Sequence, residues 1–193
     1  MIVAGIDPSL SSSGVVVGDS SGQPKVFRIK GAKIGDSPWA RIERCRRMVG
    51  GITEAVQNNG AERVFIEGYA FGAKFHREEL AELGGLLRDS MLRIDKKLRE
   101  VQPASLKQFV TGKGNAKKHV MILAIRDQWG FETTSNDEAD AYGLWKLGLC
   151  VTGEVEADGL HQIEAVQKVI EGPTTQREKK KQRRKKKTEA RLF

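Results

Sequence analysis

The sequence predicts an α/β domain built on a mixed five-stranded sheet with flanking helices, and three observations predict it. Short apolar or β-branched runs bounded by turn residues mark five strands. From Pro38 onward the apolar spacing between runs lengthens to threes and fours, the period of a helix face. The first three runs are joined by short turns and the later ones by helix-length segments. Three strands therefore meander antiparallel and the rest add in parallel.

Ile2-Val3-Ala4-Gly5-Ile6 is a buried strand that stops at Asp7. Pro8 and the cluster Ser11-Ser12-Ser13-Gly14 supply turn chemistry, and Val15-Val16-Val17 follows as a β-branched second strand. The turn at residues 18–22 leads to a third strand over 25–30, with Val26, Phe27 and Ile29. Ile42, Cys45, Val49, Ile52 and Val56 then line one face of a helix that Asn58-Asn59-Gly60 stops. Val64-Phe65-Ile66-Glu67-Gly68 is a fourth strand, again an apolar run closed by one carboxylate. A second helix spans about 76–98, with Leu80, Leu83, Leu87, Met91 and Ile94 on one stripe; Val101 belongs to a fifth strand closed by Pro103. A Gly- and Lys-rich loop, Thr111-Gly112-Lys113-Gly114, precedes a helix capped by Asn115 and ending at Trp129-Gly130. Ser135-Asn136-Asp137-Glu138 fits a capping box opening a helix to about Leu149, and an amphipathic stretch covers 156–170. Gly172-Pro173 divides a domain over 1–171 from a tail over 172–193.

A chain of 193 residues, 39% hydrophobic and 30% charged, suits one globular domain with a real core. Its net charge of +8 comes from 33 basic and 25 acidic side chains. Residues 177–191 hold ten of the former and two of the latter, so the remaining body is neutral and the basic character is an appendage. Such a charge block, almost free of apolar residues, is expected to be disordered when free. It suits DNA tethering, with a solubilising tail or a nuclear-localisation-like run as the alternatives. Cys45 and Cys150 fall in helical patterns far apart and read as buried, reduced thiols. No apolar run is long enough to span a membrane, and Asp7 interrupts the sole candidate for a leader, which predicts a cytoplasmic protein.

The acids carry the functional argument. Asp7 and Glu67 each end an apolar strand, where an unpaired charge is costly. Asp137 and Asp140 are three apart in the first turn of a helix and share a face that continues as Ala141, Leu144 and Gly148. That apolar stripe should lie on the sheet, aiming both acids at its edge. If the first and fourth strands are neighbours, four carboxylates converge. Each acid alone has an ordinary explanation: a turn former at Asp7, edge solvation at Glu67, helix N-terminal preference at Asp137 and Glu138. Together they suit hard divalent ions, Mg²⁺ above all, and metal-assisted phosphodiester hydrolysis with two ions about 4 Å apart.

These residues resemble a known family. Gly5-Ile6-Asp7-Pro8-Ser9 with the Ser-rich turn and Gly14 looks like the opening of the RuvC-type Holliday-junction resolvases. Ile66-Glu67 is similar to their second motif, and Asp137-Glu138-Ala139-Asp140-Ala141 to their paired-aspartate motif. The segment from Leu106 through Lys113 to Lys118 resembles their basic loop. The resemblance implies an RNase H-like fold and a homodimer that cuts a four-way DNA junction symmetrically with Mg²⁺ or Mn²⁺. It assigns metal ligation and catalysis to Asp7, Glu67, Asp137 and Asp140. Lys118 joins the catalytic group near the scissile phosphate, and Lys107, Lys113 and Lys117 contact DNA. An aromatic wedge is expected shortly after the second-motif acid, where Tyr69 and Phe71 flank Ala70; Phe71 is the favoured wedge, with core packing the alternative. Gly84-Gly85 resembles the dimer helix and equally suits packing on the sheet. The small size, basic tail and altered aromatic site suit a phage-type or divergent member, in a bacterial or phage-infected cell.

Three other readings compete. Gly5-x-Asp7 also resembles the phosphate turn of actin-like ATPases and sugar kinases, but those need a second such domain and a second Asp-Gly loop, which 151–170 lacks. A ribonuclease H or a general branch and flap nuclease would keep the fold and the acids. A non-catalytic junction-binding protein would not need all four.

Overall fold

The computed structural model describes residues 1–32, 35, 37–68 and 77–172. Five strands form one sheet in the order β3-β2-β1-β4-β5. β1 (Val3–Asp7) lies at its centre, antiparallel to β2 (Ser12–Gly18) and parallel to β4 (Arg63–Glu67). β3 (Lys25–Lys30) pairs antiparallel with β2, and β5 (Lys97–Val101) pairs parallel with β4. The mixed sheet and its split into a meander and a parallel half are as the turn lengths predict.

Every residue of β1 is buried, which explains its unbroken apolar run: a central strand covered on both faces has no polar side to show. Ala4 and Ile6 face α1 (Pro38–Asn58) and α2 (Arg77–Arg93), packing with Cys45, Ile52 and Val56 of α1 and with Leu83, Leu87 and Met91 of α2. Val3 and the alternate residues Val16 and Phe65 face the opposite layer. That layer holds α3 (Pro103–Thr111), α4 (Lys118–Trp129), α5 (Asn136–Val151) and α6 (Leu160–Glu171). Each large side chain so buried contributes on the order of 1.5–3 kcal/mol, and the two layers together clamp the sheet.

α5 is the element on which the site depends. It crosses β1, β2 and β4 at unusually close range, because the sheet removes side chains beneath it. A Cβ on Gly5 would lie 2.3 Å from the Ala141 carbonyl oxygen, and one on Gly14 would lie 2.1 Å from that of Asp137. The Trp145 indole N–H donates to the Gly18 carbonyl at 3.0 Å and fixes the helix lengthwise. Ser135 caps the helix by accepting from the Glu138 N–H, as expected of the capping box. The reciprocal half differs: Glu138 accepts from the Thr133 hydroxyl at 2.6 Å, and Thr133 in turn accepts from the Ser135 N–H.

Five expectations are corrected. Ser12 and Ser13 belong to β2 rather than to the turn, since both are buried and paired with β3. The second helix ends at Arg93, not near Leu98: Asp95 takes a left-handed φ of 54°, and Lys97 starts β5. Pro103 does more than close a strand; it opens α3, a helix the sequence reading omitted, with proline at a position where the missing N–H is harmless. The cap of α4 is Lys117 instead of Asn115. Both cysteines are free, Cys45 buried but Cys150 only half-buried.

Candidate active site

Strand register alone brings two acids together. Ile6 is level with Ile66 in the parallel β1–β4 pair, so the next residues, Asp7 and Glu67, leave the sheet side by side. Alternation places both on the face that α5 covers, with Val3, Gly5 and Phe65. The first turn of α5 rests on β2 at Gly14, the residue level with Asp7, and so delivers Asp137 and Asp140 to the same end of the sheet. All four predicted acids converge.

Their electrostatics record the crowding. Asp7 is 7% exposed, and its carboxyl is held well above the usual carboxylate range, first by burial and then by the charges of Glu67, Asp140 and Asp137. The nearness of the two carboxyls works in opposite directions on them, raising Asp7 further and pulling Glu67 down. Glu67 is still raised by burial, against the opposing pull of Lys107 and Lys118. Burial and the Glu67 charge push Asp140 up to about 7, and burial raises Asp137. Carboxylates forced into one desolvated corner retain protons unless a cation replaces them.

Of the four predicted lysines, two act on this cluster. Lys107 projects from α3 and bears on Glu67 and Asp140; Lys118, the first residue of α4, bears on Asp137 as well. A lysine is unfavourable at a helix N-terminus, and here its charge falls on three acids, Glu67, Asp137 and Asp140, that compensate. Lys113 and Lys117 are exposed beyond the C-terminus of α3 and at the cap of α4. Tyr69 and Phe71 lie outside the described residues. The acid pattern also missed two neighbours of Asp137, Ser12 and Arg28. Two-residue alternation from Gly14 is the signal that places both on the acid face.

The donor set fits a hard divalent cation: all oxygen, negatively charged and at least half-buried, Asp7 most deeply. Among the described residues, however, no group of three or more acidic, histidine or cysteine side chains is arranged to hold a metal ion as it stands. The acids stand within electrostatic reach of one another.

The fold and this acid cluster define a domain of the RNase H-like class. No family model matches the chain. It is 24% identical, over 79% of its own length and 97% of the other's, to the crossover junction endodeoxyribonuclease RuvC of Synechococcus sp. (strain WH7803). The structure of Thermus thermophilus RuvC superposes with a TM-score of 0.60 at 23% identity, covering 80% of this chain and 98% of that one. T. thermophilus RuvC in complex with a Holliday-junction substrate gives 0.59 at 22% identity, covering 75% and 90%. The chain is therefore similar to RuvC in sequence and carries the RuvC form of the RNase H-like fold.

Proposed function

We propose that the protein is a metal-dependent crossover junction endodeoxyribonuclease that resolves four-way DNA junctions by phosphodiester hydrolysis. One observation carries the reading. Acids from β1, β4 and the N-terminal end of α5, separated by up to 133 positions in sequence, are gathered at one corner by register and by Gly14. Such a cluster is expensive to fold, and ordinary packing gives no return for it. The similarity to RuvC over 97% of that protein's length supports the junction as substrate, as does the likeness to RuvC bound to a Holliday junction.

Asp7, Glu67, Asp137 and Asp140 would hold Mg²⁺ or Mn²⁺, and four carboxylates suffice for two ions. Such ions supply a polarised phosphoryl oxygen and a water acidic enough to attack near neutral pH. The chain's own contribution is placement. Lys107 and Lys118 set two positive charges beside the acids, where they offset the charge of an arriving phosphate. The start of α4 has no side-chain cap, and N–H groups at a helix N-terminus favour anions. Lys113 and Lys117 stand exposed nearby for the flanking backbone.

Symmetric scission of a four-way junction needs two such centres related by a two-fold axis, hence a homodimer. α2 offers a surface for it: a Cβ on Gly85 would meet nothing within 4 Å, and Leu92 is 72% exposed.

The test is cleavage of matched four-way, three-way, flap and RNA–DNA hybrid substrates by wild type and Asp7→Asn. Wild type should cut the four-way junction at symmetric positions with added Mg²⁺ and in preference to the other substrates. Asp7→Asn should bind it and lose at least a hundredfold in rate. Full Mg²⁺-dependent cleavage by the variant would sink the catalytic assignment; equal cutting of flaps or hybrids would sink the substrate.

A further inference from the structure

Away from the acids, a cavity of about 440 Å³ lies between the turn that joins β2 to β3 and the segment that leads from α4 into α5. That volume is in the range of sites for small ligands. Pro24 and Val26 line it from the sheet, Trp129 and Phe131 from the end of α4 and just beyond, and Tyr142 and Lys146 from one face of α5. Phe131 and Tyr142 stack with centroids 4.3 Å apart and planes 7° from parallel, and Trp129 stands 6.1 Å from Tyr142. The Lys146 Nζ lies 4.8 Å from the ring centroid of Trp145 and 5.9 Å from those of Trp129 and Tyr142. Tyr142 and Trp145 are buried, whereas Trp129, Phe131 and Lys146 are half-buried and present the surface that a ligand can meet.

Packing accounts for the rings but not for the lysine. Burial pulls its ammonium below the ordinary lysine range. It takes part in none of the ion pairs among the described residues. Glu132, the one carboxylate that lines the cavity, is exposed and is not its partner. Ring faces attract a cation without neutralising it, so the missing counterpart is an anion. Aromatic walls beside an unpaired cation call for a ligand that is planar at one end and anionic at the other. A base with its phosphate has both, and proteins that hold single strands combine ring faces with basic side chains for that reason.

We infer that this cavity is a nucleotide site, in which a base lies against Trp129 and Phe131 and its phosphate pairs with Lys146. Position favours a nucleotide carried by DNA. Val26 lines the cavity, and Arg28 follows two residues along the same face of β3, about 7 Å farther on. Arg28 is exposed and level with Gly14, against which the Asp137 backbone packs. A strand leaving the cavity along β3 therefore passes an arginine and arrives at the acids. The placement on DNA rests on the proposed function; the chemistry of the cavity does not.

Binding to the full chain without metal keeps cleavage out of the test. Fluorescence anisotropy of a short labelled thymidine oligomer and of its abasic counterpart isolates the base, because the basic tail meets the same phosphates in both. Wild type should hold the thymidine oligomer about fivefold tighter or more, and Phe131→Leu should erase most of that preference. Lys146→Met should weaken the thymidine oligomer about tenfold, and Lys146→Arg, which keeps the charge, should retain most of the wild-type affinity. Thymidine monophosphate, followed by tryptophan fluorescence, identifies the source. An oligomer held tighter than the monophosphate puts the nucleotide on DNA, the reverse makes it a free nucleotide, and either supports the site. Equal affinity for the two oligomers with no response to the monophosphate would overturn it, as would wild-type binding by folded Lys146→Met. A chain that binds in this way and cuts no junction keeps the site and loses the proposed function. One that cuts the junction and shows neither kind of binding keeps the function and loses the site.

Discussion

At the scale of single residues, the crowded acids cost stability, and pH exposes the cost. Asp140 has its carboxyl raised to about 7 by burial and by Glu67, against an ordinary unfolded value near 3.9. Below about pH 4 both folded and unfolded chains hold this proton. Between about 4 and 7 the folded chain keeps it and the unfolded chain does not, so stability falls as pH rises and the loss is complete above 7. The linkage is worth on the order of 1–3 kcal/mol after screening by the solvent that still reaches the residue. Asp7, Glu67 and Asp137 shift in the same direction. Thermal melts of the metal-free protein should therefore show Asp140→Asn stabilised relative to wild type at pH 8 and by much less at pH 5. Added Mg²⁺ should raise the wild-type Tm at pH 8 and close that gap. A gap independent of pH would mean that Asp140 does not carry the buried charge. Asp7 and Glu67 were legible in the sequence because a carboxylate ending an apolar strand is conspicuous, and Asp137 and Asp140 because their three-residue spacing puts them on the face of an apolar helical stripe. Ser12 and Arg28 were not, since a serine in a serine cluster and an arginine in an edge strand are ordinary until a register puts them beside an acid.

At the scale of elements, the site is a matter of how closely α5 lies on the sheet. A Cβ on Gly14 would sit 2.1 Å from the Asp137 carbonyl oxygen, a backbone atom that cannot yield without moving the helix. Gly14→Ala should therefore lift the first turn of α5 off β2. Denaturant melts should show a loss of about 1–3 kcal/mol, and a larger proportional loss in cleavage than in stability. If the variant cleaves at the wild-type rate, close contact at Gly14 does not set the position of Asp137. The apolar stripe through Ala141, Leu144 and Gly148 told where α5 would pack, and the strand runs told where the sheet would be. Elements went unread where one residue serves two neighbours. Pro103 reads as a strand terminator and is also the first residue of α3; the apolar stripe of α2 continues through Ile94 toward β5 and hides the turn at Asp95. Apolar periodicity cannot end a helix whose stripe runs on into a strand, and only the left-handed residue between them does so.

At the scale of the whole molecule, the charge is divided between a body with no net charge and a short basic segment. Within the body, the cations that matter are placed beside the acids: Lys107 and Lys118 on one flank, Arg28 on the other. A body with no net charge has little long-range attraction for a polyanion. The segment after Gly172, with ten basic residues and two acidic over 177–191, supplies that attraction if it lies along DNA. Its contribution would be independent of sequence and strongly dependent on salt, since every phosphate neutralised releases counterions and adds about 0.9 to the slope of log K against log salt. Deleting residues 174–193 should flatten that slope by roughly 3 if as few as three or four tail cations engage phosphates. Affinity for a four-way junction and for plain duplex should fall together at low salt, because the tail reads neither shape nor sequence, and the ratio of the two affinities should hold. Cleavage at saturating protein should keep its cut sites and its Mg²⁺ requirement, both of which belong to the acid cluster. A salt slope unchanged by the deletion would remove the tether and leave the tail as a solubilising segment.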